Sequence, residues 1–358
     1  MTVPEDIRVD LCIIGAGSGG LSVAAMASQL GARCVLIERA RMGGDCLNAG
    51  CIPSKALLAA AKAAANLRRA GRFGLAPLGM TVDYPAVLDH VRDVIAGIAP
   101  NDSVERFTGL GVRVIQAAGR FAGPDLVEAG DCRIRARRFV IATGSRPVIP
   151  DIPGLASVPY LTNETVFAQQ ALPRHLIVIG GGPVGIEMAQ AHRRLGADVT
   201  VVEAGRILGR DDPELADLLR RSLEAEGIVI RDRTRIAGIE ADPLGVALRL
   251  AGEQGDERLR GSAILVAAGG SPTSQGLGLK RRVLPPPPTG SRSMPVFAAR
   301  TAGSMSLAMR RAAPSSPTWL ATRPASSSAT RCSASRPVPT ERPFPASPTP
   351  SPSLPASA

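Results

Sequence analysis

Apolar positions in the first forty residues fall into short blocks. Val9 to Ile14 is apolar but for Asp10, small residues run from about Gly19 to Leu30 up to Gly31, and Cys34 to Ile37 is apolar again before Glu38. Short near-continuous blocks suit strands buried on both faces, and the longer small-residue block suits a helix packed closely on them. Between the first strand and the helix lies Gly15-Ala16-Gly17-Ser18-Gly19-Gly20. A strand, a glycine turn, a helix and a second strand ending in an acid make a dinucleotide fingerprint in its required context. The helix N-terminus takes the pyrophosphate and the carboxylate accepts from a ribose hydroxyl.

Further on, Tyr84, Val87, Leu88, Val91, Val94, Ile95 and Ile98 keep helical spacing until Pro100, with His90 on the polar side and read as solvated. A strand is predicted over Val112 to Gln116, then a segment from Ala117 to Phe121 and a turn at Gly123-Pro124-Asp125. The basic stretch Arg133 to Arg138 alternates with Ile134, Ala136 and Phe139, and reads as an exposed strand face. No aromatic side chain interleaves it, as base stacking would require. It leads into the buried run Val140 to Ala142 and the turn Thr143-Gly144-Ser145-Arg146-Pro147.

The pattern then starts again near Pro150. A strand over Leu176 to Ile179 meets Gly180-Gly181-Gly182-Pro183-Val184-Gly185, the helix runs to Leu195 and Gly196, and the strand Asp198 to Val202 is closed by Glu203. A carboxylate there accepts from a free 2′-hydroxyl and repels a 2′-phosphate, which favours NAD(H) over NADP(H), with Arg206 as the residue able to soften the preference. His192, beside Arg193 and Arg194, reads as part of a solvated face. Helix Pro213 to Glu226 carries Leu215, Leu218, Leu219 and Leu223 on one side. Residues 228–262 alternate like a small inserted sheet, Ala263 to Ala268 return as a buried strand ending at Gly269-Gly270, and Leu277 to Leu279 is the last fold-like stretch.

Charge refines this picture. The net +11 would ordinarily point to nucleic acid or an anionic membrane, but residues 281–358 hold ten Arg and one Glu, which leaves +2 for residues 1–280. A nearly neutral folded part with a basic tail argues against nucleic acid as a partner. No charged-then-apolar leader and no apolar run of about twenty residues is visible, so the expectation is a cytoplasmic protein with no membrane association.

The most distinctive stretch is GGDCLNAGCIPSK, residues 43–55. On a regular helix, α-carbons five positions apart lie about 8 to 9 Å apart, beyond the roughly 4.4 to 6.8 Å a disulfide allows. Pairing of Cys46 and Cys51 would need a distorted loop, which Asn48 and Gly50 permit. The helix-forming run after Pro53 and the nearby Lys55 would favour thiolate over thiol. Three other readings stand beside a redox pair: a zinc site, for which only Cys34 lies within thirty residues; a structural disulfide, disfavoured in a chain without a leader; and two inert buried cysteines.

The two fingerprints, GGDCLNAGCIPSKALL, the ATGSRP turn and the AAGGSP turn, in that order, resemble the flavin-dependent pyridine nucleotide-disulfide oxidoreductases, of the dihydrolipoamide dehydrogenase and mercuric reductase kinds. The resemblance covers residue 8 to about 280. It implies an α/β fold of two Rossmann-like domains with parallel central sheets: an FAD-binding domain over 1–149 with a redox-active disulfide, and an NAD(P)-binding domain over 150–280. It also implies FAD on Gly15, Gly17, Gly20 and Glu38, with Lys55, Gly119, Thr143, Gly144 and Ser145 around it. NAD(H) would lie on Gly180, Gly182, Gly185, Glu203 and Gly269. Cys51 would be the flavin-proximal thiolate and Cys46 the interchange thiol, with Lys55 paired to Glu187. The substrate would be a small-molecule disulfide or dithiol, or Hg(II); Asp45 leans toward the mercuric reductase-like branch.

The sequence departs from the family after residue 280. Of the 78 residues from Arg281, 61 are Ala, Pro, Arg, Ser or Thr, so a disordered tail is expected. The family's second FAD-binding strand, its dimer-interface domain and its His-Glu base pair have no visible counterpart, which removes the basis for the family homodimer and for full activity. Those five residue types dominate GC-rich codons, and the tail reads as an out-of-frame continuation, which resequencing the gene tests.

Overall fold

The computed structural model describes residues 4–75, 81–252 and 255–279, together with strand fragments at 293–294, 308–310 and 319–320 that pair with one another. Apart from these fragments, the expectation for the 281–358 tail lies outside the described residues. The first half runs β1 (Glu5–Ile14), α1 (Ser18–Gln29), β2 (Cys34–Glu38), α2 (Gly44–Asn48), α3 (Cys51–Arg68), α4 (Tyr84–Ile98), α5 (Val104–Gly109), β3 (Arg113–Gln116), β4 (Gly119–Phe121), β5 (Leu126–Ala129), β6 (Cys132–Ile141) and β7 (Ser145–Pro147). Its sheet has the order β3-β2-β1-β6-β5-β4, parallel through β6 and antiparallel beyond. Alternate residues of β1 serve two cores, Ile13 on the side of Leu21 and Ala24 of α1, Cys12 and Ile14 on the opposite side with Val127 and Phe139. Burial of both faces explains the unbroken apolar run.

β1 starts earlier than the apolar block, at Glu5, because the long β6 offers partners down to Cys132. β6 itself is one continuous strand rather than a basic strand followed by a buried one. Its exposed arginines meet acids, Arg135 with Asp125 at 2.8 Å and Arg137 with Asp10 at 3.8 Å.

The second half runs β8 (His175–Ile179), α6 (Pro183–Leu195), β9 (Asp198–Val202), α7 (Pro213–Ala225), β10 (Val229–Arg231), β11 (Arg235–Asp242), β12 (Gly245–Gly252), β13 (Gly255–Gly261), β14 (Ala263–Val266) and β15 (Gly270–Pro272). Its parallel sheet has the order β10-β9-β8-β14, and β11, β12 and β13 form the inserted antiparallel sheet. β7 and β15 pair across the halves. A single core also spans them, with Leu57 and Ala61 of α3 and Tyr84 and Leu88 of α4 packed together with Ile186 and Met188 of α6 and Leu176 of β8.

One expectation is corrected by the fold. His192 is fully buried rather than solvated. It lies one turn after Met188, and its Nδ1 is 2.8 Å from the Met188 carbonyl, which it can reach only as a donor. Nε2 is then left to accept from the Tyr84 hydroxyl at 3.2 Å. Burial lowers the pKa of His192 against this backbone bond and favours the neutral ring. The leucine side of α7 is only partly covered: Leu223 is buried together with Ala216, whereas Leu215 is 65% and Leu218 54% exposed.

Candidate functional site

Each glycine turn is built from close backbone approaches. Gly15 has φ +105°, and a Cβ there would lie 2.2 Å from the Ala142 carbonyl oxygen; Gly180 has φ +112°, with a Cβ 2.5 Å from the Ala267 oxygen. Added side chains at Gly20 and Gly185 would strike the carbonyls of Gly15 and Gly180, at 1.8 and 2.1 Å. These contacts seat α1 and α6 directly on the turns. Gly17 and Gly182 precede the two helices with extended backbone, and no side chain caps either. First-turn N–H groups without a side-chain cap suit a pyrophosphate. Glu38 accepts from Ala16 N at 2.7 Å and Ala40 N at 2.8 Å; Glu203 accepts from Gly181 N at 2.7 Å and Gly205 N at 2.9 Å. Each carboxylate keeps lone pairs for ribose hydroxyls. The residues present therefore fit two nucleotide cofactors.

The cysteine pair packs directly behind the first turn. Gly43 N donates to the Ala16 carbonyl at 2.9 Å, and a Cβ on Gly44 would lie 2.7 Å from the Gly17 α-carbon. Cys46 belongs to α2 and Cys51 is the first residue of α3, so the pair straddles a helix break. Gly50 makes that break. A Cβ there would lie 2.8 Å from the Asp45 carbonyl oxygen and 3.4 Å from the Cys46 α-carbon. Close approach, more than freedom to turn, is what this glycine supplies. Asn48 clamps the same loop, its Nδ2 donating to the carbonyls of Met42 and Gly44 at 3.0 and 2.9 Å.

Both thiols are unbonded. A hydrogen bond from Cys46 is the main cause that lowers Cys51, with Lys55 adding to it; desolvation and Glu187 oppose, and Cys51 comes down to about 6. Cys46 is driven well above the usual thiol range, chiefly by that same bond, then by burial and by the charges of Cys51 and Asp102. The two shifts run in opposite directions and put the thiolate character on Cys51. Asp102, after α4, is a neighbour that no sequence motif signalled; its own pKa is raised by burial, with Arg106 opposing. Asp45 is raised too, by burial first and then by Glu164 and Glu38.

Among the remaining candidates, Lys55 Nζ lies 2.8 Å from both carboxylate oxygens of Glu187, joining α3 to α6. Gly119 sits in β4 across the C-terminal ends of β1 and β2, where a Cβ would lie 3.3 Å from Ile14 and 3.4 Å from Ile37. Thr143 donates to the Thr273 carbonyl at 2.5 Å, and Gly144 accepts from Thr273 N at 3.0 Å. Ser145 opens β7, and the Gly269 carbonyl accepts from Val148 N at 2.9 Å. Thr143 to Ser145 follow the Ala142 carbonyl that walls the first turn. Gly269 follows the Ala267 carbonyl that walls the second.

Comparison with known proteins supplies the family and the fold relatives. Residues 9–285 match the family described as pyridine nucleotide-disulphide oxidoreductase. The chain is 36% identical over 278 residues to a mercuric reductase of Streptomyces lividans, covering 76% of this chain and 59% of that one. It is 37% identical over 284 residues to a dihydrolipoyl dehydrogenase of Thermus scotoductus, with the same coverage. A solved HOCl-induced flavoprotein disulfide reductase from Escherichia coli matches with a TM-score of 0.63 and 26% identity over 74% of this chain and 57% of its own. The chain thus spans about three fifths of the length of these relatives.

Proposed function

This chain belongs to the pyridine nucleotide-disulphide oxidoreductase family, and on that premise we propose that it passes electrons from NADH through FAD to the Cys46/Cys51 pair and on to a small disulfide or Hg(II). FAD would be held by Gly15, Gly17, Gly20 and Glu38, and NADH by Gly180, Gly182, Gly185 and Glu203. When bound, the flavin supplies hydride uptake from the nicotinamide and delivery of an electron pair to sulfur. The observation that carries the proposal is geometric: Cys46 and Cys51 straddle a helix break seated on the first glycine turn, with Lys55 one turn into the second helix and held by Glu187.

The residues define an exchange sequence. Proton transfer from Cys46 to Cys51 leaves a Cys46 thiolate, which attacks a substrate disulfide and releases one substrate thiolate. Cys51, giving up its proton to that leaving group, then attacks the Cys46 sulfur. The second substrate thiolate leaves and the Cys46–Cys51 disulfide remains. Lys55 steadies negative charge at Cys51 and is itself held by Glu187. The mercuric reductase and dihydrolipoyl dehydrogenase relatives support this substrate range. No helix among the described residues is long and apolar enough to cross a membrane. A cytoplasmic location belongs to the same reading, since unpaired thiols suit a reducing compartment.

The full chain, purified and titrated anaerobically with NADH, should carry a visible flavin that bleaches and then reduces a disulfide panel or Hg(II), with Cys46→Ser and Cys51→Ser abolishing turnover. A colourless protein that binds no flavin on reconstitution would refute the proposal. A flavin that bleaches without turnover would reduce it to a nucleotide-binding flavoprotein.

A further inference from the structure

We propose that Asp217, on α7, sets the discrimination between an adenosine 2′-hydroxyl and a 2′-phosphate by holding Arg206 out of the second nucleotide site; the inference rests on the NADH reading above. The backbone around Arg206 is fixed on several sides. Leu208 N donates to the Gly181 carbonyl at 2.8 Å, Arg233 N to the Gly205 carbonyl at 2.7 Å, and Ile207 N to Asp232 Oδ1 at 3.1 Å. Asp232 is in turn held by Arg220. Ile207 is buried against Gly181, where an added Cβ would lie 2.6 Å from its Cγ2. The loop that carries Glu203 and Arg206 is therefore cinched to the glycine turn, and its freedom lies in the Arg206 side chain.

That side chain is paired with Asp217, Nη2 to Oδ1 at 2.6 Å, with both partners nearly half exposed. Glu203 faces the loop with both oxygens bound to backbone N–H groups. The three side chains together carry one negative charge, which suits a neutral hydroxyl and opposes a phosphate dianion. Without the Asp217 charge the same loop is neutral, and a free guanidinium can fork onto phosphate. An exposed ion pair is a weak lock, so the preference should be tunable by a small factor rather than absolute.

The test is isothermal titration of the full chain with ADP-ribose and with 2′-phospho-ADP-ribose, at salt of about 0.02 and 0.5 M. Wild type should favour ADP-ribose. Asp217→Asn should tighten the 2′-phosphorylated ligand about fivefold and leave ADP-ribose within about twofold. Adding Arg206→Ala should erase the gain, and high salt should shrink it; Asp217→Ser should repeat the pattern. An unchanged ligand ratio in both Asp217 variants, or a gain that survives Arg206→Ala, would overturn the inference. Wild type binding neither ligand would instead bring down the nucleotide-site reading, and this inference with it.

Discussion

Around Gly15 and around Gly180 the chain meets one demand twice, with a left-handed glycine beneath the carbonyl of a neighbouring strand, an uncapped helix start, and a glutamate held by two backbone N–H groups. The two halves differ in the loop beyond each acid. After Glu38 the chain folds back onto the glycine turn through Gly43 and Gly44 and brings the thiol pair with it. After Glu203 it folds back through Ile207 and Leu208 and brings a tethered arginine. On the proposed function, the same scaffold would carry thiol chemistry in one half and ligand selection in the other, each placed on the loop that leaves the second strand.

The likeness of the two halves is disrupted most severely at the shared glycines. Gly20→Ala should abolish flavin retention, read as loss of visible absorbance, yet leave binding of ADP-ribose; Gly185→Ala should do the reverse. If either substitution removed both ligands, the halves would not be independent sites. A smaller effect separates the thiols. Alkylation of Cys51 followed against pH should have its midpoint at about 6. In Cys46→Ala, which removes the donor to that thiolate, the midpoint should climb toward the ordinary thiol value of about 8.5.

Replacing Tyr84 by Phe removes the donor to the buried ring of His192 and should cost about 1 to 3 kcal/mol in denaturant unfolding. His192 has a lowered pKa in the fold, so its contribution is complete above its unfolded value of about 6.5 and is lost as the pH falls below that. His192→Phe should flatten this acid limb. The smallest effect lies at the bridge between the halves. Glu187→Gln removes a charge that opposes the Cys51 thiolate and should lower the alkylation midpoint, whereas Lys55→Met should raise it, each by a few tenths of a pH unit for so exposed a pair.

Features set by local spacing were readable from the sequence: both glycine turns with their flanking strands, helices and acids, and, given the resemblance, the Lys55 and Glu187 pair. Features set by what packs on what were not. Flanking arginines made His192 look solvated, although a position one turn from Met188 puts it in the shared core. The leucines of α7 defined an apolar side without saying which edge would dock. Gly50 was legible as the residue that lets the loop turn, and it does stand at the helix break; what spacing alone did not show is how closely it passes the Asp45 carbonyl and the Cys46 α-carbon. The charge of Asp102, beyond the end of α4, acts on Cys46 and leaves no trace in the local pattern.

The core that α3 and α4 share with α6 ties the cysteine pair to both halves of the chain. The helix that begins with Cys51 packs against the second sheet, so a fragment ending near residue 149, lacking that second half, would leave the cysteine pair without its foundation even with the first sheet intact. Heating should accordingly melt both halves in a single step, and a protease nicking the linker should yield two pieces that stay associated.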